Sequence, residues 1–122
     1  GTFAPQRGYI TGFRSDGDAK SLATIIDSKS KQPVYLLGNS NGKMESFGLI
    51  KTTKVITLSA NDAYAIVSYK DGKKSKVELY NGSGYLSQSA KMVRVTPNVA
   101  QIDVYDYKGQ MRTVFPAALS AK

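Results

Sequence analysis

The stretch KKSKVELYNGSGYLSQSAKMVRV, Lys73 to Val95, decides the fold. Its first part alternates. Val77 and Leu79 fall on one face, and Lys76, Glu78 and Tyr80 on the other. Period two marks a half-buried β-strand. Its last part, AKMVRV, reads as another strand. Between them lie ten uncharged residues, Asn81 to Ala90, including two glycines and three serines. Glycines supply positive φ where a chain must turn. Serine and glutamine side chains serve backbone groups that have left a strand ladder. The segment therefore reads strand, braced uncharged loop, strand.

Working outward, the same grammar repeats. Turn signals recur as SDGD, SKSKQP, GNSNGK, SANDA, KDGK, NGSG, TPN and YKGQ. Asn-Gly and Asp-Gly suit tight hairpins. Short segments rich in Val, Ile, Tyr, Thr and Leu lie between them. In VAQIDVYD, alternation places Ala100, Ile102 and Val104 on one face and Gln101, Asp103 and Tyr105 on the other. In QMRTVF, Met111, Thr113 and Phe115 alternate with Arg112 and Val114. LATII and VYLL are unbroken apolar runs, which suit strands covered on both faces. PAALSAK is the one helix-compatible piece and is too short to hold alone. The expectation is an all-β chain: antiparallel hairpins forming a small β-sandwich or propeller-blade-like unit. One β domain spans 1–122, with halves at 2–48 and 49–116, three hairpins in the second half, and a tail at 117–122.

Composition narrows the chemistry. The chain has 122 residues, 41% of them hydrophobic, enough for one folded core. No apolar stretch is long enough for a membrane-spanning helix. There is no cysteine, histidine or tryptophan. Disulfides, thiolate chemistry, a Ser-His-Asp triad and a zinc site of ordinary composition are thereby excluded within this chain. GSGYLS, Gly82 to Ser87, approaches a dinucleotide fingerprint but leads into a strand rather than a helix. SKSK, Ser28 to Lys31, has Ser-x-x-Lys spacing but sits in a polar turn before Pro33, where nothing desolvates the lysine. Asn81-Gly82-Ser83 forms a glycosylation sequon that also reads as a turn. The chain has only two glutamates, Glu45 and Glu78, and its aspartates lie mostly in turns. No enzyme constellation, cofactor site or metal site is expected.

Net charge is +8, from 17 Lys and Arg against 9 Asp and Glu. Charge of this size attracts polyanions, yet the lysines are dispersed, and dispersal favours solubility over a specific partner. Eight tyrosines outnumber four phenylalanines. Exposed tyrosines suit stacking against sugars or partner proteins. The candidate ligand-binding residues are Tyr80, Tyr85, Ser87 and Gln88 around the uncharged loop, with Lys73, Lys74 and Lys76 on the neighbouring turn and strand.

The segment from about residue 50 to 116 resembles the UnbV/ASPIC domain found at the C-terminus of FG-GAP (VCBS-like) repeat proteins. Gly82, Ser83, Gly84, Tyr85, Leu86, Ser87, Gln88 and Ser89 match its loop, and Val99, Ile102, Val104, Asp106, Gly109 and Arg112 match the strands that follow. DGDAKSLATII and PVYLLGNSNGKMESFGL resemble a degenerate FG-GAP blade. In that blade a D-x-D-x-D-G-x-x-x-D loop binds calcium. Here Arg14 takes the first ligand position and Ala19 replaces the glycine, so no metal is expected. The resemblance implies a non-catalytic accessory or interaction module of an exported, bacterial, propeller-type protein. Its implied location is extracytoplasmic, with adhesion-like or carbohydrate-related surroundings. The implied partners are a carbohydrate or a protein, with a propeller domain of the parent chain as neighbour and no specific nucleic acid. The alternative function is charge-driven binding of a polyanion, an acidic glycan or nucleic acid.

Overall fold

Turn chemistry fixes the hairpins. In the computed structural model, which describes residues 2–82, 84 and 87–116, Gly72 takes a φ of 83° in the Asp71-Gly72 turn. The Asp71 carboxylate accepts the Lys73 N–H at 3.1 Å. Gly109 takes a φ of 81° in the second tight turn. There Asp106 Oδ1 accepts the backbone N–H groups of Lys108 and Gln110, each at 2.8 Å. Aspartate holding the amides of its own turn, with glycine at positive φ, is the local reason the chain reverses at these points.

The result is all-β. The strands are β1 (Ala19–Ile26), β2 (Pro33–Asn39), β3 (Glu45–Gly48), β4 (Lys54–Thr57), β5 (Asp62–Tyr69), β6 (Lys74–Glu78), β7 (Met92–Val95), β8 (Val99–Asp106) and β9 (Met111–Phe115). They form a three-stranded sheet β1-β2-β3, a two-stranded sheet β4-β7 and a four-stranded sheet β6-β5-β8-β9, with every pairing antiparallel. A four-residue helix, α1 (Gly8–Thr11), precedes the first sheet, away from PAALSAK, the one piece the sequence marked as helix-compatible. The tail at 117–122 lies outside the described residues.

The core joins the two later sheets. Ala65, Val67, Leu79, Val99, Ile102 and Val104 from the four-stranded sheet and its flank pack with Leu58 and Val93 from the β4-β7 side. Ala65, Ile102 and Val104 are wholly buried. The pair of sheets is sandwich-like. The first sheet buries Leu37 and Pro33.

Four expectations need correction. Among the described residues, 49–116 contain two hairpins, β5-β6 and β8-β9, rather than three, because β4 pairs with β7 across the intervening hairpin. In β8 the register slips between Ser68 and Tyr69, so Val99 faces Tyr69 and Ala100 is the extra residue. Val99 is therefore buried and Ala100 exposed, the reverse of strict alternation. A second slip sets Phe115 opposite Ile102 while Thr113 faces Asp103. Phe115 leaves the face of Met111 and Thr113, and it packs with Val114 against the core. LATII forms an edge strand: Leu22 and Ile25 are 47% and 42% exposed. An unbroken apolar run does not by itself place a strand in the middle of a sheet.

Candidate functional site

The four-stranded sheet has a core face and an open face, and the open face is ordered in rows by its register. One row runs Glu78, Tyr64, Tyr105, Met111. The next runs Lys76, Ile66, Asp103, Thr113, and a third runs Lys74, Ser68, Gln101. Tyr64 and Tyr105 are direct cross-strand neighbours. Their rings stack with centroids 4.7 Å apart and planes 10° from parallel. Such pairs contribute beyond their buried area and stiffen the rings. The Lys76 ammonium lies 4.3 Å from the centre of the Tyr64 ring and 2.5 Å from Glu78 Oε1. The hydrogen bond to Glu78 raises the Lys76 pKa against a smaller opposing effect of desolvation, and the nearby charges of Glu78, Tyr64 and Tyr80 add to the rise. Asp103 collects the Gln101 amide at 2.8 Å and the Thr113 hydroxyl at 2.6 Å. The face thus offers a rigid aromatic centre with a cation on one side and a polar cluster on the other.

The sequence-derived candidates divide into separate places. Lys74, Lys76 and Tyr80 come together at this face. Tyr80 stands at its rim, 64% exposed, beside a cavity of about 230 Å³ that Thr24, Glu78, Ser89 and Met92 help to line. Lys73 sits in the preceding turn, 3.5 Å from Asp71. Ser87 and Gln88 are engaged elsewhere. The Ser87 hydroxyl donates to Leu22 O at 3.0 Å, and Gln88 Oε1 accepts the Gly82 N–H at 2.5 Å. Tyr85 lies outside the described residues.

These bonds explain the uncharged loop. In the β1-β2 ladder, alternate residues turn their polar groups away from the partner strand. Leu22 and Thr24 are such residues on β1. Ser87 caps Leu22 O, the Ser89 hydroxyl accepts the Thr24 N–H at 3.0 Å, and the Ala90 N–H reaches Thr24 O at 2.6 Å. Side-chain hydroxyls here stand in for a neighbouring strand. Charges along this line would lose hydration without gaining a partner.

Two other clusters are structural. Arg112 binds Asp62 through two 2.7 Å hydrogen bonds, and the Ser59 N–H adds a third at 2.7 Å. The Asp62 side chain is 1% exposed, that of Arg112 49%. The Arg112 hydrogen bond holds the Asp62 carboxyl below its ordinary range, against the opposing pull of burial. The Lys91 ammonium donates to Ala60 O, Asp62 O and the Tyr107 hydroxyl, pinning the same turn. In the calcium-loop-like segment, Asp16 is bridged by Arg14 at 2.8 Å and Asp18 by Lys20 at 2.9 Å. Among the described residues, no group of three His, Cys, Asp or Glu side chains gathers where it could hold a metal ion. Nor is any helix among them long and apolar enough to cross a membrane.

No family model, curated protein or solved structure matches this chain.

Sequence reasoning placed Tyr105 with Gln101 and Asp103 and Tyr80 with Lys76, but it missed the Tyr64–Tyr105 stack. That contact depends on β5 pairing with β8, across the whole uncharged loop. The signal within reach was Tyr64 itself, one residue from the buried Ala65 in a strand of alternating burial.

Proposed function

We propose that this chain is a non-catalytic interaction module whose contact surface is the open face of the four-stranded sheet. The ligand is a carbohydrate, with Tyr80 as the exposed stacking contact, the ring edges and hydroxyls of the stacked Tyr64 and Tyr105 beside it, and Lys74 drawing acidic groups. The stacked tyrosine pair on an open sheet face is the observation that carries this reading. Flat, stiff, amphipathic rings offer contact area at little entropic cost. The resemblance to UnbV/ASPIC and FG-GAP sequences adds the setting: an accessory unit of an exported, extracytoplasmic propeller-type protein. A protein partner on the same face is the nearest variant of this reading.

Charge-driven binding of a polyanion is the competing function, supported by the net charge of +8. Against it, Lys76, Lys73, Lys20 and Arg14 each lie within 4 Å of a carboxylate of their own chain. A screen against neutral glycans, acidic glycans and DNA, each at low and high salt, separates the two. Binding to a glycan that survives high salt and falls in Tyr64→Ala and Tyr80→Ala supports the tyrosine face. Binding to every polyanion that disappears with salt supports the charge alone.

A further inference from the structure

An open strand edge is a template for another strand, and folded proteins guard such edges with charges, bulges or covering loops. In this chain the β1 edge is covered by Ser87, Ser89 and Ala90. The β6 edge carries Lys74 and Lys76, β4 carries Lys54, and β7 carries Arg94. The β9 strand is slipped in register and runs into Pro116. The β3 strand differs. Ladder alternation against β2 turns the backbone N–H and C=O groups of Ser46 and Gly48 outward, and both residues are small and exposed. Nothing lies within 4 Å of where a Cβ on Gly48 would stand. Beyond the strand, Leu49 and Ile50 are 38% and 93% exposed. They line, with Phe13, Tyr35 and Phe47, a groove of about 400 Å³.

We propose that β3 pairs antiparallel with β3 of a second copy about a twofold axis through Gly48. The segment is complementary in charge to itself, Glu45 against Lys51, and this local match selects a second copy as the occupant and fixes the register. Two chains of net charge +8 repel each other, so they meet best where a strand carries no lysine and offers a carboxylate. β3 is such a strand, and its one charged residue is Glu45. With the axis at Gly48, Glu45 stands opposite Lys51 of the partner subunit, twice over. Phe47 faces Leu49 of the partner subunit, and Ser46 faces Ile50 of the partner subunit. Moving the axis to Phe47 would instead oppose Lys43 to Lys51 of the partner subunit. The chosen register lengthens the strand through residues 49–51 and joins two three-stranded sheets into one of six. It involves a different sheet from the tyrosine face, so either proposal can fail without the other.

The chain has no cysteine, so single substitutions report cleanly. Gly48→Cys and, as a control on another open edge, Lys76→Cys are treated with a short thiol–thiol crosslinker. The expected result is crosslinked dimer at Gly48→Cys at least about tenfold faster than at Lys76→Cys, because an antiparallel hydrogen-bonded pair holds its Cα atoms about 5.5 Å apart. Adding Ser46→Pro, which removes an outward N–H that β2 does not use, should abolish the difference. In sedimentation, Glu45→Lys should weaken association about tenfold by opposing two pairs of like charges, and Glu45→Lys with Lys51→Glu should restore it. Equal crosslinking at the two cysteines, or a Ser46→Pro variant that still crosslinks, would overturn the proposal. Failure of the charge swap to restore association would overturn this register.

Discussion

Removing the Arg112 guanidinium tests how this fold tolerates the one fully enclosed charge among its described residues. Asp62 is 1% exposed, and two of its three side-chain hydrogen bonds come from Arg112. In Arg112→Met the carboxylate keeps only the Ser59 N–H and stays in place. Breaking a fully buried ion pair costs about 3–5 kcal/mol. The Arg112 side chain is about half exposed, so water already screens part of the attraction and can reach part of the orphaned carboxylate. The expected loss is therefore about 2 kcal/mol, or a Tm lower by about 6–12 °C for a chain of this size. Asp62 has its folded pKa depressed below the unfolded value by Arg112. Its contribution is thus complete above the unfolded pKa of about 4 and disappears as pH falls through the folded pKa. The assay is urea unfolding of wild type and variant at about pH 7 and about pH 2. The difference should be large at the first and small at the second. An Arg112→Met cost below about 0.5 kcal/mol, or one unchanged at acid pH, would refute the reasoning.

Further outcomes follow from other contacts. Ile102→Ala, at a wholly buried position in the sandwich core, should cost about 3 kcal/mol in denaturant melts. Tyr80→Ala, at an exposed rim position, should leave Tm within about 2 °C of wild type while weakening glycan capture. Ser89→Ala removes the acceptor of the Thr24 N–H; it should cost about 1 kcal/mol and speed hydrogen exchange at Thr24. Gly109→Ala, at a φ of 81°, should cost about 1 kcal/mol through backbone strain alone.

What could be read in the sequence was local. The Asp71-Gly72 and Lys108-Gly109 turns, the alternation of Val77 and Leu79 against Lys76 and Tyr80, and the all-β character all lie within a few residues of their causes. The reading failed where one inserted residue changed the face of everything after it. Alternation is a counting rule, and the bulges beside Ala100 and Val114 break the count without a compositional mark. Pairing between β4 and β7 was hidden for a different reason, because hydrophobic period two says that a strand exists and not which strand lies beside it. The candidate site suffered most from this. Serine in the uncharged loop carries the same donor and acceptor whether it meets a ligand or a strand edge, and only its position against β1 tells which. The tyrosine stack needed two strands from opposite sides of the loop.

The brace on β1 has a temporal side. Leu22 and Thr24 find their partners in Ser87 and Ser89, each 65 residues further along the chain. A ribosome lays residues down at about 5–20 per second. The first sheet can therefore pair its three strands and then wait several seconds, with its apolar flank and unsatisfied backbone exposed, before the segment that closes it has been made. In that interval the nascent chain has two open borders, along β1 and along β3. A cell making this protein would need the interval short or a chaperone nearby, and slowed translation ahead of Ser87 should raise the aggregated fraction while leaving the finished fold unchanged.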